Sequence, residues 1–486
     1  MAKPQRIPTG ILYRLATKSC DNEEKMKRII VFYCLLCSVQ SVVAQQKLDF
    51  ESFKTRVLTF HPVVKQAANT VEIGQQEVVK ARGTLDPKLS SEIAGKQFKD
   101  IDYYHLGNSG LKIPTWIGVD FKAGYEQNRG TYLNPQNTTP GSGLWYAGVE
   151  VPLGKGMFFD ERRATIKTAQ VIEKMAINER ELIINDILLE AYSSYWSWYE
   201  AYQKLQIADE GYRFALIRFE GVRQNALLGE SPSIDTVEAK IQLLNRNFEK
   251  IQAEYNYQNA GSVLNLFLWT DNFIPLELEE NTIPQVDATN AYTLGSLMLR
   301  SATIDTEKTP IVLQTVYKLD QLKIEERLKR EQLKPELNVA YNPLSQPVGN
   351  NPFANFSVEN YKFGITASMP IFLRKERGGL AQTKLKIENA TLDIAYKVNE
   401  LKQKELILRN DLYQMYEQLA IQKTQVLQSK MLLDSEQTRF NIGESSLFLV
   451  NVREMNYLQY QMKLIELEAK MKTLEAKWLW LFSELD

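Results

Sequence analysis

The chain has 486 residues, 44% of them hydrophobic, with 58 Lys+Arg against 59 Asp+Glu and a formal net charge of −1. That balance excludes the basic footprint of a nucleic-acid-binding protein. With three cysteines (Cys20, Cys34, Cys37) and two histidines (His61, His105), the composition supports neither a disulfide framework nor a Cys/His metal site.

Residues 1–25 contain nothing export-like and read as an upstream tail, with translation starting at Met26. From there Met26-Lys27-Arg28, the apolar run Ile29 to Val39 and the small-residue junction Val42-Val43-Ala44 make a secretory signal peptide over 26–44. The mature chain then begins at Gln45 and has no cysteine. A lipid anchor on Cys37 needs a small residue before it, and Leu36 stands there. No run of about 20 apolar residues follows Ala44, so no membrane-crossing helix is expected. An exported chain without such a helix is free in the periplasm, secreted, or an outer-membrane β-barrel.

The mature chain is built twice. His61-Pro62-Val63 returns as Thr309-Pro310-Ile311, Arg82 as Arg330, and Leu85-Asp86-Pro87-Lys88-Leu89 as Leu333-Lys334-Pro335-Glu336-Leu337, all at one offset. A repeat of this length is a half-molecule and not a solenoid unit. The first repeat covers 45–270, a linker 271–290, and the second repeat 291–486. Duplicated halves are a natural way to line one ring or channel.

Each half opens with a helix and continues in strands, over about 88–153 and 335–372. Ile117, Val119, Phe121, Ala123 and Tyr125 alternate with polar or small residues, as do Trp145, Ala147, Val149, Val151 and Leu153. In the second half Leu337, Val339 and Tyr341 alternate likewise, followed by Tyr361, Phe363, Ile365, Ala367 and Met369. Segments of about ten residues with one apolar face suit either a transmembrane barrel or a sheet on a soluble core. The export signal, the Trp and Tyr residues at strand ends and the polar loops Asn128 to Gly143 and Asn342 to Asn360 favour the barrel. Two strands per half give four per chain. Two copies then make a plugged tube, whereas three make a twelve-stranded pore, so a trimer is expected of a conduit. Lys88 to Phe98 also reads as extended. It is either part of one strand interrupted by an insertion at about Lys99 to Pro114, or one arm of an extra hairpin.

No proline occurs between Pro152 and Pro232, or after Pro370, and both windows are rich in strong helix formers. They predict long helices over 161–228 and 376–441, each roughly 100 Å at about 1.5 Å per residue. In the second, the 4-3 positions from Ile387 to Leu433 are apolar at ten of fourteen sites, a coiled-coil seam. In the first, Tyr192, Tyr195, Trp196, Trp198 and Tyr199 predict packing against a broader interface. Each long helix ends at a glycine turn, Gly229-Glu230-Ser231 and Gly443-Glu444-Ser445. Shorter helices follow over 233–268 and 448–485, with capping-box-like starts at Asp235/Glu238 and Asn451/Glu454.

This order, doubled behind a signal peptide, resembles the TolC-like outer-membrane efflux family, the channel-tunnels. The carriers are Pro87-Lys88-Leu89 and Pro335-Glu336-Leu337, Val151-Pro152-Leu153 and Met369-Pro370-Ile371, and the turns at Gly229 and Gly443. The resemblance implies an α+β membrane protein: a homotrimer whose outer-membrane β-barrel continues into a long periplasmic α-helical coiled-coil barrel. It also implies outer-membrane lipid around the barrel, a periplasmic adaptor (membrane fusion protein) docked on the hairpin tips, and an inner-membrane transporter of RND or ABC type. The implied activity is that of a passive exit duct for tripartite efflux or type I secretion in a Gram-negative bacterium, without cofactor. Asp235, Glu238, Asn451 and Glu454 match the periplasmic aperture, with Asn451 an amide where the family has an acid. The second turn lacks the family's arginine near Ser445, which leaves Arg439 or Arg453 as partner for Asp235.

Nothing in the sequence assembles an enzyme. His61-Pro62 stands at a helix start, where capping is expected, and Gly154-Lys155-Gly156 lacks the spacing of a phosphate loop and reads as a turn. Asp160-Glu161 and Lys375-Glu376 open the long helices, where carboxylates favour the helix dipole. The rival reading is an exported trimeric coiled-coil scaffold or adhesin that does not conduct. Such a scaffold has no use for outward-facing apolar strands. A periplasmic adaptor is disfavoured, because no biotinyl-like domain or membrane anchor is present.

Overall fold

A computed structural model describes residues 46–230, 232–279, 281–285, 306–348, 351 and 355–485. The upstream tail and the signal peptide, which together hold all three cysteines, Ser231, and residues 286–305 of the linker and second repeat lie outside the described residues.

Strand β1 (Lys47–Asp49) leads into helix α1 (Phe50–Phe60), whose first amides are capped by the Asp49 carboxylate at 3.1 and 3.2 Å. Helix α2 (Pro62–Arg82) starts on Pro62, and His61 caps it by accepting from the Val63 amide at 3.3 Å. Burial holds the His61 imidazole below its ordinary pKa, which suits a neutral ring nitrogen acting as an acceptor. Four strands follow: β2 (Lys88–Phe98), β3 (Ile101–Pro114), β4 (Asp120–Arg129) and β5 (Leu144–Pro152). Then come the long helix α3 (Glu161–Leu227) and the shorter α4 (Ser233–Asn265). Strands β6 (Trp269–Thr270) and β7 (Ile274–Pro275) form a small ladder, and β8 (Ile283–Gln285) pairs in parallel with β1. In the second half α5 (Pro310–Glu331) also starts on proline. It is followed by β9 (Glu336–Ser345), β10 (Ser357–Ser368), the long helix α6 (Arg374–Asn441) and α7 (Leu447–Leu481).

The main sheet has six strands in the order β10-β9-β5-β4-β3-β2, antiparallel throughout. This corrects the expected four strands per chain. Of the two readings of Lys88 to Phe98, the extra hairpin is the one observed: Lys88–Phe98 pairs with Ile101–Pro114, so the segment weighed as an insertion is itself a strand. Two features keep the sequence from deciding between the readings. The turn is the pair Lys99-Asp100, both at positive φ (53° and 59°), a two-residue hairpin turn without its usual glycine. Strand β3 also carries Gly107-Asn108-Ser109-Gly110, residues that read as loop. The strand expected from Ile117 begins at Asp120, because Gly118 turns the chain at φ 92°. The strand count also loses its power to select a trimer, since two copies of six strands supply twelve.

The main core lies where α1, α3, α4 and α7 meet. Phe53, Leu188, Tyr195, Trp198, Leu268, Trp478 and Leu481 are all essentially inaccessible there. The aromatic run of α3 packs into this core as its sequence implies. Three α3 residues seven positions apart bind the other half of the chain through backbone carbonyls. Asn178 donates to Pro310 (2.8 Å), Asn185 to Trp480 (2.7 Å) and the Tyr192 hydroxyl to Leu485 (3.1 Å). The predicted seam of α6 is its buried stripe. Of the fourteen positions only Thr391 is exposed, with Ala390 buried in its place.

Burial pushes the Glu475 carboxyl above its ordinary pKa, although Lys472 Nζ lies 2.8 Å away. A raised folded-state value means that folding favours the protonated form. The contribution to stability is therefore complete below the unfolded value and is lost as pH rises through the folded one. Glu475→Gln should gain thermal stability over the parent between pH 4 and pH 8, as followed by circular dichroism. A difference that stays constant across that range would show that ionisation is not the cause.

Candidate functional site

The register of the sheet sorts its side chains by polarity. Ile113, Phe121, Val149, Tyr341 and Phe363 are successive partners across five strands, and Leu89 continues the same face on β2 beside Leu111. Leu89, Ile93, Phe363 and Ile365 are 82, 84, 64 and 63% exposed, so nothing among the described residues covers this apolar face. The opposite face carries the ion pairs Lys112–Asp120, Lys122–Glu150 and Lys362–Glu126. The last of these joins β10 to β4 over two intervening strands at 3.2 Å. Three strand spacings of about 4.8 Å are closed by two side chains only if the sheet curls toward its polar face. Glycine makes that curl possible: a Cβ on Gly124 collides with the Tyr146 ring that crosses it toward Asn108. The result is a curved wall, apolar outside and charged inside.

Where the wall meets α3, charges lock the two together. Asp160 caps the helix and accepts from Arg163 Nε and Arg162 Nε, both at 2.9 Å. Arg162 also reaches Asp120 at the base of β4 (2.6 Å), and Lys112 of β3 binds the other oxygen of Asp120 at 2.8 Å. The Gly154-Lys155-Gly156 segment forms the expected turn just past β5, with the Lys155 amide donating to the Pro335 carbonyl at 2.8 Å. Any Cβ on Gly154 would strike that carbonyl, so its glycine serves close backbone approach. The second long helix starts differently: its cap residue, Leu373, has φ 48° and makes no side-chain bond.

At the far ends of the long helices both turns close in the same way. Gly229 (φ 79°) and Gly443 (φ 83°) lie just past α3 and α6. The amides of Glu230 and Glu444 reach back to the carbonyls of Asn225 and Arg439 at 2.9 and 2.8 Å, the bond pattern of a glycine-terminated helix. The following helices begin at Ser233 and Leu447, within one residue of the expected starts, but Asp235 and Asn451 do not cap them. Pro232 and Ser446 are the caps, so Asp235 lies in the first turn of α4 and Asn451 inside α7.

The aperture candidates therefore have unequal surroundings. Glu454 and Asn451 are buried, 4 and 7% exposed, and both bind Arg218 of α3. Arg218 donates to the Asn451 amide oxygen at 2.8 Å and pairs closely with Glu454. Asn451 in turn donates to Glu238 at 3.3 Å, and Arg246 of α4 lies 3.9 Å from the second oxygen of Glu454. Val222, Ala239 and Leu447 form an apolar cluster nearby. The two hairpins are thus clamped to each other within one chain. Asp235 stays partly exposed. The expected arginine partners of Asp235 are placed elsewhere: Arg453 lies 3.7 Å from the buried Glu436, which also accepts from Ser445, and Arg439 is exposed. Among the described residues no ion pair joins either arginine to Asp235. Arg218 and Arg246 were missed in the sequence because each sits in a long charged helix with nothing local to distinguish it.

Among the described residues there is no cluster of metal-ligating side chains, and no helix is long and apolar enough to cross a membrane. No protein-family model and no curated protein matches the sequence. Solved structures do match. The open state of the Neisseria gonorrhoeae MtrE outer membrane channel gives a TM-score of 0.64, covering 89% of this chain and 89% of that one at 14% identity. The Campylobacter jejuni CmeC outer membrane channel gives 0.61 over 89% and 85%, also at 14% identity. The Vibrio cholerae outer membrane protein VceC gives 0.61 over 89% and 95%, at 12% identity. The chain has the fold of the TolC-like outer-membrane channels.

Removing one member of a buried ion pair strands the other, at a cost of about 3–5 kcal/mol. Arg218→Ala should therefore loosen the tips, seen as faster amide hydrogen exchange over 447–458. The double change Arg218→Met with Glu454→Met should restore most of the protection. If the double variant exchanges as fast as the single one, the clamp is not what holds α7.

Proposed function

We propose that the chain is the outer-membrane exit duct of a tripartite efflux or type I secretion system, acting as a homotrimer without cofactor. The observation that carries this reading is the six-stranded wall, apolar on its open face and charged on its concave face. It joins helices of 67 and 68 residues, each about 100 Å long at about 1.5 Å per residue. A non-conducting scaffold or adhesin has no use for such a wall. Copy-to-copy packing is supported by a second stripe on α6, turned away from the seam. Leu385, Leu392, Leu406, Tyr413 and Leu427 are spaced by sevens or fourteens and all are exposed.

The hairpin tips serve a periplasmic adaptor in this reading, which an inner-membrane transporter of RND or ABC type would complete. Exposed apolar residues flank both glycine turns: Leu227, Leu228 and Ile234 around Gly229 and Glu230, Ile442 and Phe448 around Gly443, Glu444 and Ser445. Asp235 and Glu238 remain the aperture candidates nearest the surface, while Asn451 and Glu454 act through the Arg218 clamp.

Three measurements test this. The parent should stay with the outer-membrane fraction until detergent is added, and light scattering of the extract should give three chains per particle. In planar bilayers Asp235→Ala, Arg453→Ala and above all Arg218→Ala should raise single-channel conductance. A protein that leaves the membrane fraction without detergent, or forms no channels, fits the scaffold reading and removes the duct.

A further inference from the structure

The two outer strands of the main sheet are each hydrogen-bonded on one side only, and they differ from the strands between them. Ten of the eleven residues of β2 are exposed, and eleven of the twelve in β10, whereas nine of the ten in β9 are half-buried. An unpaired edge leaves a row of backbone donors and acceptors without partners, which lipid does not tolerate. Six strands cannot meet that demand alone, since barrels start at about eight. The edges must be covered, and another copy of the same edge pair is the occupant that fits.

We propose that β2 of one copy pairs with β10 of the next, so that three copies enclose a barrel of eighteen strands in which the β2–β3 hairpin is wall and not loop. This rests on the trimeric duct reading. Direction supports it. In an antiparallel meander of six, the first and last strands run opposite ways, so β2 and β10 join as a further antiparallel pair. All four helix connections then stay at one end of the barrel, the end where β2 and β9 begin and β5 and β10 finish. Pairing β2 with β2 or β10 with β10 inverts one copy and sends its helices to the opposite side. Polarity supports it as well. Leu89 and Ile93 of β2 share the apolar face with Phe363 and Ile365 of β10, so the face is continuous when odd-numbered residues of the two strands oppose each other. Barrels of 16–18 strands leave an aqueous channel.

Cysteine pairs test both the partner and the parity, because the chain has no cysteine after Cys37. Ala94→Cys is combined in turn with Lys362→Cys, Gly364→Cys and Thr366→Cys on the polar face, and with Phe363→Cys and Ile365→Cys on the apolar face. A further variant combines Lys122→Cys of β4 with Gly364→Cys. Each purified oligomer is oxidised in detergent and run on a non-reducing gel. The expected result is a covalent ladder ending at three chains for at least one polar-face partner of Ala94, and none for the apolar-face partners. Intermolecular linking of Lys122→Cys would place the hairpin outside the wall and overturn the eighteen strands. A ladder ending at two chains would overturn them too, as would no link from any β2 pair. Light scattering of the parent separates these failures from failure of the duct reading. Three chains per particle with a β4–β10 link keeps the trimer and removes only the larger barrel.

Discussion

Backbone hydrogen bonding in the sheet is the constraint on which the rest depends. Once a strand has one apolar face exposed to lipid, every N–H and C=O along it must be bonded to a neighbour. The ladder from β2 to β10 does this internally for four strands and leaves the two edges bonded on one side only. That requirement places the halves. The last strand of the first half, β5, pairs with the first strand of the second, β9, and the bonding continues past the strand ends through Leu153 and Lys155 to Leu337 and Pro335. The two long helices therefore leave the wall from neighbouring points.

The helical part is held by a different kind of contact at each level. Near the wall it is charge, with Asp120 shared between Arg162 and Lys112. In the middle it is burial of large side chains, Trp198 and Trp478 among them, where each fully buried apolar group contributes about 1.5–3 kcal/mol. At the tips there is little apolar area, only the small cluster around Val222, and the Arg218–Glu454–Asn451 network takes over. A buried ion pair gives modest net stability but a specific geometry, because each member is costly without the other. A gate needs that property, since it has few stable arrangements and a definite contact to break.

What was legible in the sequence followed the strength of local signals. The seam of α6 was readable because thirteen of its fourteen positions are buried or half-buried, so the apolar repeat and the packing coincide. Both turns were readable because only glycine adopts φ near +80° at no steric cost. The β2–β3 hairpin stood only as one of two alternatives, since Lys99-Asp100 has no glycine and β3 is rich in turn-forming residues that the long ladder overrides. Arg218 was invisible for another reason. Its partners lie 233 and 236 positions away, and no helical period links them.

The asymmetry between the halves is where this chain departs from a simple doubling. The first half has four strands in the sheet and the second has two, yet both feed one long and one short helix. In the trimeric duct proposed above, extra strands enlarge the circumference of the closed wall, whereas the number of helices per chain sets that of the tunnel below it. The junction must absorb the difference, and it is built unequally. Asp160, Arg162 and Arg163 tie α3 to the four-stranded side through ion pairs, while α6 begins after Leu373 with no side-chain cap. The ion-paired anchor thus sits on the half that carries the added hairpin, and the uncapped helix start on the half that carries none.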